Sequence, residues 1–277
     1  MQIGIFAKTF VRPTLEAVLD AVVAHGLAAV QFNLSCAGLP EMPDRIEPAL
    51  SDHIRQAMAA RGIGMAAVSG TFNIIHPNPV ERQAGFRRLR VLAAACERLG
   101  TSIITFCTGT CNPDYLWASH PDNGSPETWR EMRQAMAEAL QIAAAYNVTL
   151  AFEPEVSNVV DSAQKARRLL DEMQSPHLKV TIDGANLFHR GELPRMREIL
   201  DEAFVLLGEE IVLAHAKDLS RDGEAGHEAA GSGLLDYDHY LALLQASGFD
   251  GAIILHSLTE AQASGCVNFL KRKLSLL

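Results

Sequence analysis

The chain has 277 residues with 33 acidic side chains against 24 Lys and Arg, a formal net charge of −9. That length suits one α/β barrel domain of about 250 residues. The acidic balance argues against nucleic-acid or anionic-membrane partners, which need clustered Lys and Arg, and five scattered Cys make no disulfide framework.

Short apolar runs recur in chain order at Gln2–Phe6, Ala28–Phe32, Met65–Ser69, Ser102–Cys107, Val148–Glu153, Leu178–Asp183, Ile211–His215 and Ala252–His256. Each is bounded and rich in Val, Ile, Leu or Ala, the pattern of a strand buried on both faces. Helical patterns lie between them: Thr14–His25, Asp52–Arg61, Pro79–Leu99, Ser125–Tyr146, Ser162–Met173, Leu193–Leu207, Tyr237–Ser247 and Glu260–Lys273. Pro79 suits a first helical turn and Ser125 an N-cap. Eight strands alternating with eight helices predict an α/β protein with a parallel sheet. The first strand is not followed by GxGxxG, and four strands end in ligand-type side chains, too many for one crevice of an open sheet. A (β/α)8 TIM barrel over residues 1–277, with its site at the C-terminal face, is therefore expected. The chain enters its first strand without a basic leader and contains no run near the roughly 20 apolar residues of a membrane span, so a cytoplasmic location is expected.

The four ligand-type strand ends are Glu153, Asp183, His215 and His256. Singly, each has an ordinary structural explanation: a surface charge, a turn Asp, a satisfied core His. Together, on consecutive strands, they predict a site for one divalent metal ion (Mn, Co, Zn, Mg or Fe), because a carboxylate–imidazole set suits such cations. Two long loops fall on the same face. Thr108 to Gly124 carries Trp117 and His120, which could wall a pocket at that face; Asp218 to Asp236 carries Arg221. His76 lies just beyond the third strand, and Lys217 and Asp218 follow His215 as expected supports for its orientation.

These residues resemble the xylose isomerase-like TIM barrels, the sugar phosphate isomerases/epimerases related to endonuclease IV. The likeness is carried by Phe152-Glu153-Pro154-Glu155, Ile182-Asp183-Gly184-Ala185-Asn186, His215-Ala216-Lys217-Asp218 and Gly231-Ser232-Gly233-Leu234-Leu235-Asp236. The resemblance implies a metal held by Glu153, Asp183 and His215, with Arg221 placed to contact substrate. It departs from the family at His256, where the usual fourth ligand is Glu, and at Asn186, where several relatives have His; Asn186 can instead hydrogen-bond a substrate hydroxyl. His256 is expected as the fourth ligand, with an acid/base role as its alternative.

The resulting expectation is a metal-dependent sugar (keto/aldose) isomerase or epimerase acting through an enediolate. Its base would be Glu153, with Glu155 or His256 as alternatives, and its partner a small carbohydrate. The competing reading is a metal-dependent dehydratase or lyase on a sugar or sugar-acid derivative. The charge and the lack of a D-x-H pair after the seventh strand argue against an AP endonuclease; the polar mouth argues against a non-catalytic sugar-binding barrel. Homo-oligomerisation is left open.

Overall fold

The computed structural model describes all residues from Met1 to Leu277. Its strands are β1 (Gln2–Phe6), β2 (Ala29–Phe32), β3 (Gly64–Ser69), β4 (Ile103–Phe106), β5 (Thr149–Phe152), β6 (Leu178–Asp183), β7 (Ile211–Asp218), β8 (Glu228–Ala229) and β9 (Ala252–Leu255). Neighbours from β1 to β7 pair in sequence; β9 joins β7 to β1 and closes the ring, all in parallel. This is the expected (β/α)8 barrel, with β9 as its eighth strand. The two-residue β8 was not expected from the sequence. It pairs antiparallel with the end of β7, matching Lys217 with Ala229, and forms a lip on the C-terminal rim.

Helices α1 (Leu15–Ala24), α2 (Pro48–Ala59), α3 (Pro79–Leu99), α4 (Pro126–Tyr146), α5 (Ala163–Met173), α6 (Met196–Leu207), α7 (Tyr237–Ala246) and α8 (Glu260–Leu274) form the outer ring. Ser125 accepts a hydrogen bond from Thr128 N, as an N-cap should. Strand β7 runs on past the expected His215 to Asp218, and two helix starts differ by more than one residue from expectation. Helix α2 begins at Pro48, four residues before Asp52, because a proline in the first turn forfeits only an N–H that has no helical partner there. The segment before α6 is a separate 3₁₀ turn, Leu193–Arg195, built on Pro194. No helix is long and apolar enough to cross a membrane.

Two apolar cores result. The large one lies between strands and helices; the small one, inside the barrel, contains Phe6, Ala29, Ala67, Leu213, Ala252 and Ile254. Side chains alternate along a strand, so the inward residue two places on from each of these layers lies nearer the C-terminal face. Ala29 leads to Gln31, Ala67 to Ser69, Ile103 to Thr105, Leu213 to His215, and Ile254 to His256. An apolar floor thus carries a polar layer at every barrel strand except β1, where Phe6 occupies the place.

The floor leaves little room. A Cβ on Gly4 would lie 2.7 Å from Ile254 Cδ1 and 2.8 Å from the Ala29 carbonyl oxygen. Gly4→Ala is therefore expected to destabilise the protein by about 1–3 kcal/mol. Adding Ile254→Val should recover only part of that, since the backbone clash remains. Urea unfolding of the single and double variants checks this; full recovery would show that the backbone contact is harmless.

Candidate metal centre and its cavity

Glu153, Asp183 and His215 converge at the barrel mouth, each offering a ligand atom within 4.8 Å of the others. Asp183 ends β6, Glu153 directly follows β5, and His215 lies within β7, three residues before its end. Glu153 hydrogen-bonds through its backbone N–H to the Phe106 carbonyl, while Asp183 and His215 pair across β6 and β7. Asp183 has no exposed side-chain surface, His215 has 4%, and Glu153 keeps 12%.

The distances distinguish a ligand set from a hydrogen-bonded cluster. His215 Nδ1 lies 3.4 Å from Glu153 Oε2 and 3.7 Å from Asp183 Oδ2. Charge-assisted hydrogen bonds would be about 2.7–2.9 Å. Ligand atoms bound to one ion at about 2.0–2.2 Å stand roughly 3.0–3.5 Å apart. Consistent with that, buried Asp183 Oδ2 and His215 Nδ1 have no hydrogen-bond partner. Such orphans are costly unless something charged lies between them. The donor set therefore fits a divalent cation.

The remaining atoms of these side chains are committed. Asp183 Oδ1 accepts from Ala185 N at 2.9 Å. Glu153 Oε1 accepts from the Asn186 side-chain amide, and Asn186 Oδ1 accepts from Gly226 N at 2.8 Å. His215 Nε2 donates to Gln31 Oε1 at 2.8 Å, and the Tyr240 hydroxyl donates to the His215 carbonyl at 3.0 Å. Lys217 Nζ stands 3.4 Å from Asp183 Oδ2. Burial alone would weaken that ammonium, but Asp183, Glu153 and Glu155 outweigh it and hold its pKa above the ordinary value. Burial raises the Asp183 carboxyl. It pushes Glu153 up too, but His215, Lys217 and His256 pull Glu153 below the usual carboxylate range.

His256 stands outside the mutually close group. Its ring stacks on His215 with centroids 5.2 Å apart and planes 15° apart, and its other face stacks on Phe6 at 5.2 Å. Parallel rings hold their in-plane lone pairs in separate planes. His256 Nδ1 lies 2.9 Å from the Ser257 hydroxyl, and Ser257 adopts φ 53, a left-handed conformation uncommon for a non-glycine residue. Burial, then the positive charge of Lys217, keep the His256 imidazole well below its ordinary pKa.

A cavity of about 890 Å³ opens above these residues. Glu153, Glu155, Asn186, His215, Lys217, Arg221, His256 and Trp117 line it. His76 and His120 do not. His76 Nε2 bonds to the Pro113 carbonyl and its Nδ1 accepts from Asn78 N; His120 Nδ1 accepts from Asp122 N and caps a short turn. Both histidines brace loops. Arg221 is 67% exposed and paired with Glu224. Glu155 is wholly buried, with one oxygen accepting from Ser157 N and the other from the Asn158 amide. Burial first, and Glu153 nearby, push its pKa up to about 7 although the Ser157 N–H opposes them.

The expected support of His215 by Lys217 and Asp218 is not what the structure has. Lys217 reaches Asp183. The Asp218 carboxylate instead accepts from Leu219 N, Leu235 N and Gly231 N and so folds the Gly231–Asp236 loop. Gly233 is required there, since its Cβ would meet the Leu219 carbonyl at 2.3 Å. His215 is held by Gln31 and Tyr240, neither of which was singled out from the sequence. The signal for Gln31 was present: a polar side chain in a buried strand, two residues after an inward Ala29.

With this geometry in place, the comparisons are informative. The sequence matches the family model for the xylose isomerase-like TIM barrel over residues 19–272. The chain belongs to that family. No protein of curated function matches the sequence. Among solved structures it is similar to a D-tagatose 3-epimerase-like protein (TM-score 0.76, 14% identity, 100% of this chain and 98% of that one). It is also similar to an L-ribulose 3-epimerase (0.75, 16%, 99% and 95%) and to the probable 3-DHS dehydratase AsbF of Bacillus anthracis (0.75, 13%, 98% and 99%). At such identities the likeness establishes the shared fold.

Asp218→Ala would strand the buried N–H groups of Leu219 and Leu235 and free the part-buried one of Gly231, at about 1–3 kcal/mol for each buried group left unsatisfied. The variant is expected to lose several kcal/mol in urea unfolding and to exchange amide hydrogens faster at Leu219 and across 231–236. Exchange unchanged there would show that the loop does not depend on this carboxylate.

Proposed function

We propose that the chain is a divalent-metal-dependent isomerase or epimerase acting on a keto or aldo sugar through an enediolate. The observation that carries this reading is the buried Glu153–Asp183–His215 group, whose Asp183 Oδ2 and His215 Nδ1 have no hydrogen-bond partner and lie 3.7 Å apart, with Glu153 Oε2 3.4 Å from the same nitrogen. A divalent ion held there supplies Lewis acidity toward neighbouring substrate oxygens. The cavity beside it is roomy enough for a small sugar.

The protein's own groups then divide the work. Glu153 accepts the proton α to the carbonyl on Oε2; Asn186 holds Oε1 and fixes the carboxylate plane. Lys217 places a buried positive charge beside the site, favouring the negative charge that develops on the substrate. His256 walls the opposite side, and we assign it the acid/base role in preference to a fourth ligand, because its ring is parallel to that of His215. Glu155, engaged through both oxygens, supports the loop after β5. Trp117 offers an apolar face, and Arg221 an exposed charge at the rim. Reprotonation at the neighbouring carbon isomerises; reprotonation on the opposite face epimerises.

A dehydratase reading is favoured by one feature. His256 stands where a second carboxylate would make the two faces alike, so base and acid here are different groups, as an elimination can use. The similarity to a dehydratase structure accords with it.

Purified protein is expected to carry close to one divalent ion per chain. Removing the ion should lower the melting temperature by about 5–10 °C, the shift expected when a site near a hundredfold saturated is emptied in a chain of this size. Asp183→Asn should lose most of the metal. Elemental analysis and thermal melts with and without chelator measure this; full metal retention in Asp183→Asn would sink the site.

The reaction is tested with a panel of ketoses, aldoses and keto-acids in deuterated water. Isomerisation or epimerisation should incorporate deuterium at one carbon of an isomeric product, and elimination should give a product lighter by one water. Glu153→Gln should reduce either activity by at least about a hundredfold, within the usual size of a general-base contribution. No exchange on any substrate would count against an enzyme of this class.

A further inference from the structure

Gln31 is 4% exposed and sits inside the barrel on β2, across the mouth from the carboxylates. Its Oε1 lies 2.8 Å from His215 Nε2, and its Nε2 reaches Ser69 Oγ at 3.2 Å and Thr105 Oγ1 at 3.3 Å. The side chain therefore ties β7 to β3 and β4 through three polar contacts in the layer above the apolar floor. We infer that Gln31 is the positioning residue of the metal centre: it holds His215 in the tautomer with the proton on Nε2, leaving the Nδ1 lone pair facing Glu153 and Asp183.

Two arguments fix the sense of the relay. A neutral imidazole that donates through Nε2 carries its lone pair on Nδ1. The opposite arrangement would turn the Gln31 amide nitrogen toward Nε2 and place the proton on Nδ1. That proton would face Glu153 Oε2 at 3.4 Å and Asp183 Oδ2 at 3.7 Å, well beyond the about 2.8 Å of a hydrogen bond to a carboxylate. Metal-bound histidines generally donate their other ring N–H to an oxygen, which fixes both tautomer and ring orientation. Gln31 supplies that oxygen here, and as a neutral amide it adds no further negative charge to a site that already buries two carboxylates.

The relay continues past the amide. Both protons of the Gln31 NH₂ are directed at hydroxyls, so Ser69 Oγ and Thr105 Oγ1 act as acceptors toward it. Their own protons are left to be donated elsewhere, and both residues line the cavity. The wall opposite the carboxylates thus presents hydroxyl donors to substrate oxygens, in an orientation set by the same tautomer.

The affinity part of this inference rests on the metal reading above; the tautomer part does not. The test uses full-length protein labelled with ¹⁵N-histidine. Long-range ¹H–¹⁵N correlations, with the His215 signals assigned by their loss in His215→Asn, identify the tautomer in the metal-free state. Zn²⁺ titration gives the affinity. Wild type should show the Nε2–H pattern. Gln31→Met, similar in volume but unable to accept strongly, should lose that single tautomer and bind Zn²⁺ about 10- to 100-fold more weakly. Gln31→Glu, which can only accept when ionised, should keep the Nε2–H pattern and bind Zn²⁺ within about threefold of wild type or more tightly, the size expected when the oxygen acceptor is retained.

An Nδ1–H pattern in metal-free wild type overturns the inference, as does an unchanged tautomer or affinity in folded Gln31→Met. Should Gln31→Met fail to fold, Gln31→Glu decides: loss of the Nε2–H pattern there is equally fatal, and its retention supports the inference. Wild type that shows the Nε2–H pattern yet takes up no Zn²⁺ supports the tautomer assignment while overturning the metal reading.

Discussion

Two carboxylates buried within a few ångströms of one another are the constraint around which the mouth of this barrel is organised. Burying a carboxylate costs several kcal/mol unless its charge is met, and Asp183 has no exposed side-chain surface at all. Lys217 answers part of that charge at 3.4 Å, and the Asn186 amide and Ala185 N–H answer individual oxygens. The Asp183 oxygen that faces Lys217 and one nitrogen of His215 remain without a hydrogen-bond partner. A fold that satisfies nearly every other buried polar atom leaves those two facing each other, and this is what gives the cation reading its force.

The mouth is asymmetric in chemistry. On β5, β6 and β7 the inward positions hold Glu153, Asp183 and His215; on β2, β3 and β4 they hold Gln31, Ser69 and Thr105. One half carries charge and ligand capacity, the other neutral amide and hydroxyl groups, and the His215–Gln31 hydrogen bond joins them. His256 stands between the halves, clamped in a stack with Phe6 and His215. A molecule in the cavity would therefore meet carboxylate and imidazole groups on one wall and an amide and hydroxyls on the other.

The loops complete the site by local devices. Asp218 gathers three backbone N–H groups and closes the 231–236 turn against Gly233. Asn186 reaches from the end of β6 to Gly226, so the carboxylate of Glu153 and the loop after β7 share one side chain as their link. Movement of that loop would be felt directly at Glu153, a physical route from rim to centre that involves no change in the barrel.

Much of this protein was legible in its amino-acid order. Buried parallel strands advertise themselves as short apolar runs, and their alternation with helical patterns implied the (β/α)8 barrel. Glu153, Asp183 and His215 were visible as strand ends because the residue type changes abruptly where an apolar run meets the solvent-facing layer. What the order could not supply was which residues meet across the barrel. His76 and His120 lie near the mouth in sequence, yet loop geometry turns them to brace Pro113 and Asp122. Asp218 lies on the same strand as His215 but serves a loop. Gln31 lies 184 residues from His215, and no local pattern links them; only closure of the ring brings β2 and β7 to the same cavity. The ring orientation of His256 was likewise decided by its stack on Phe6 and His215. Periodicity determines which face of a strand a residue occupies, whereas its partner depends on the shear and closure of the whole sheet, which belong to the tertiary structure alone.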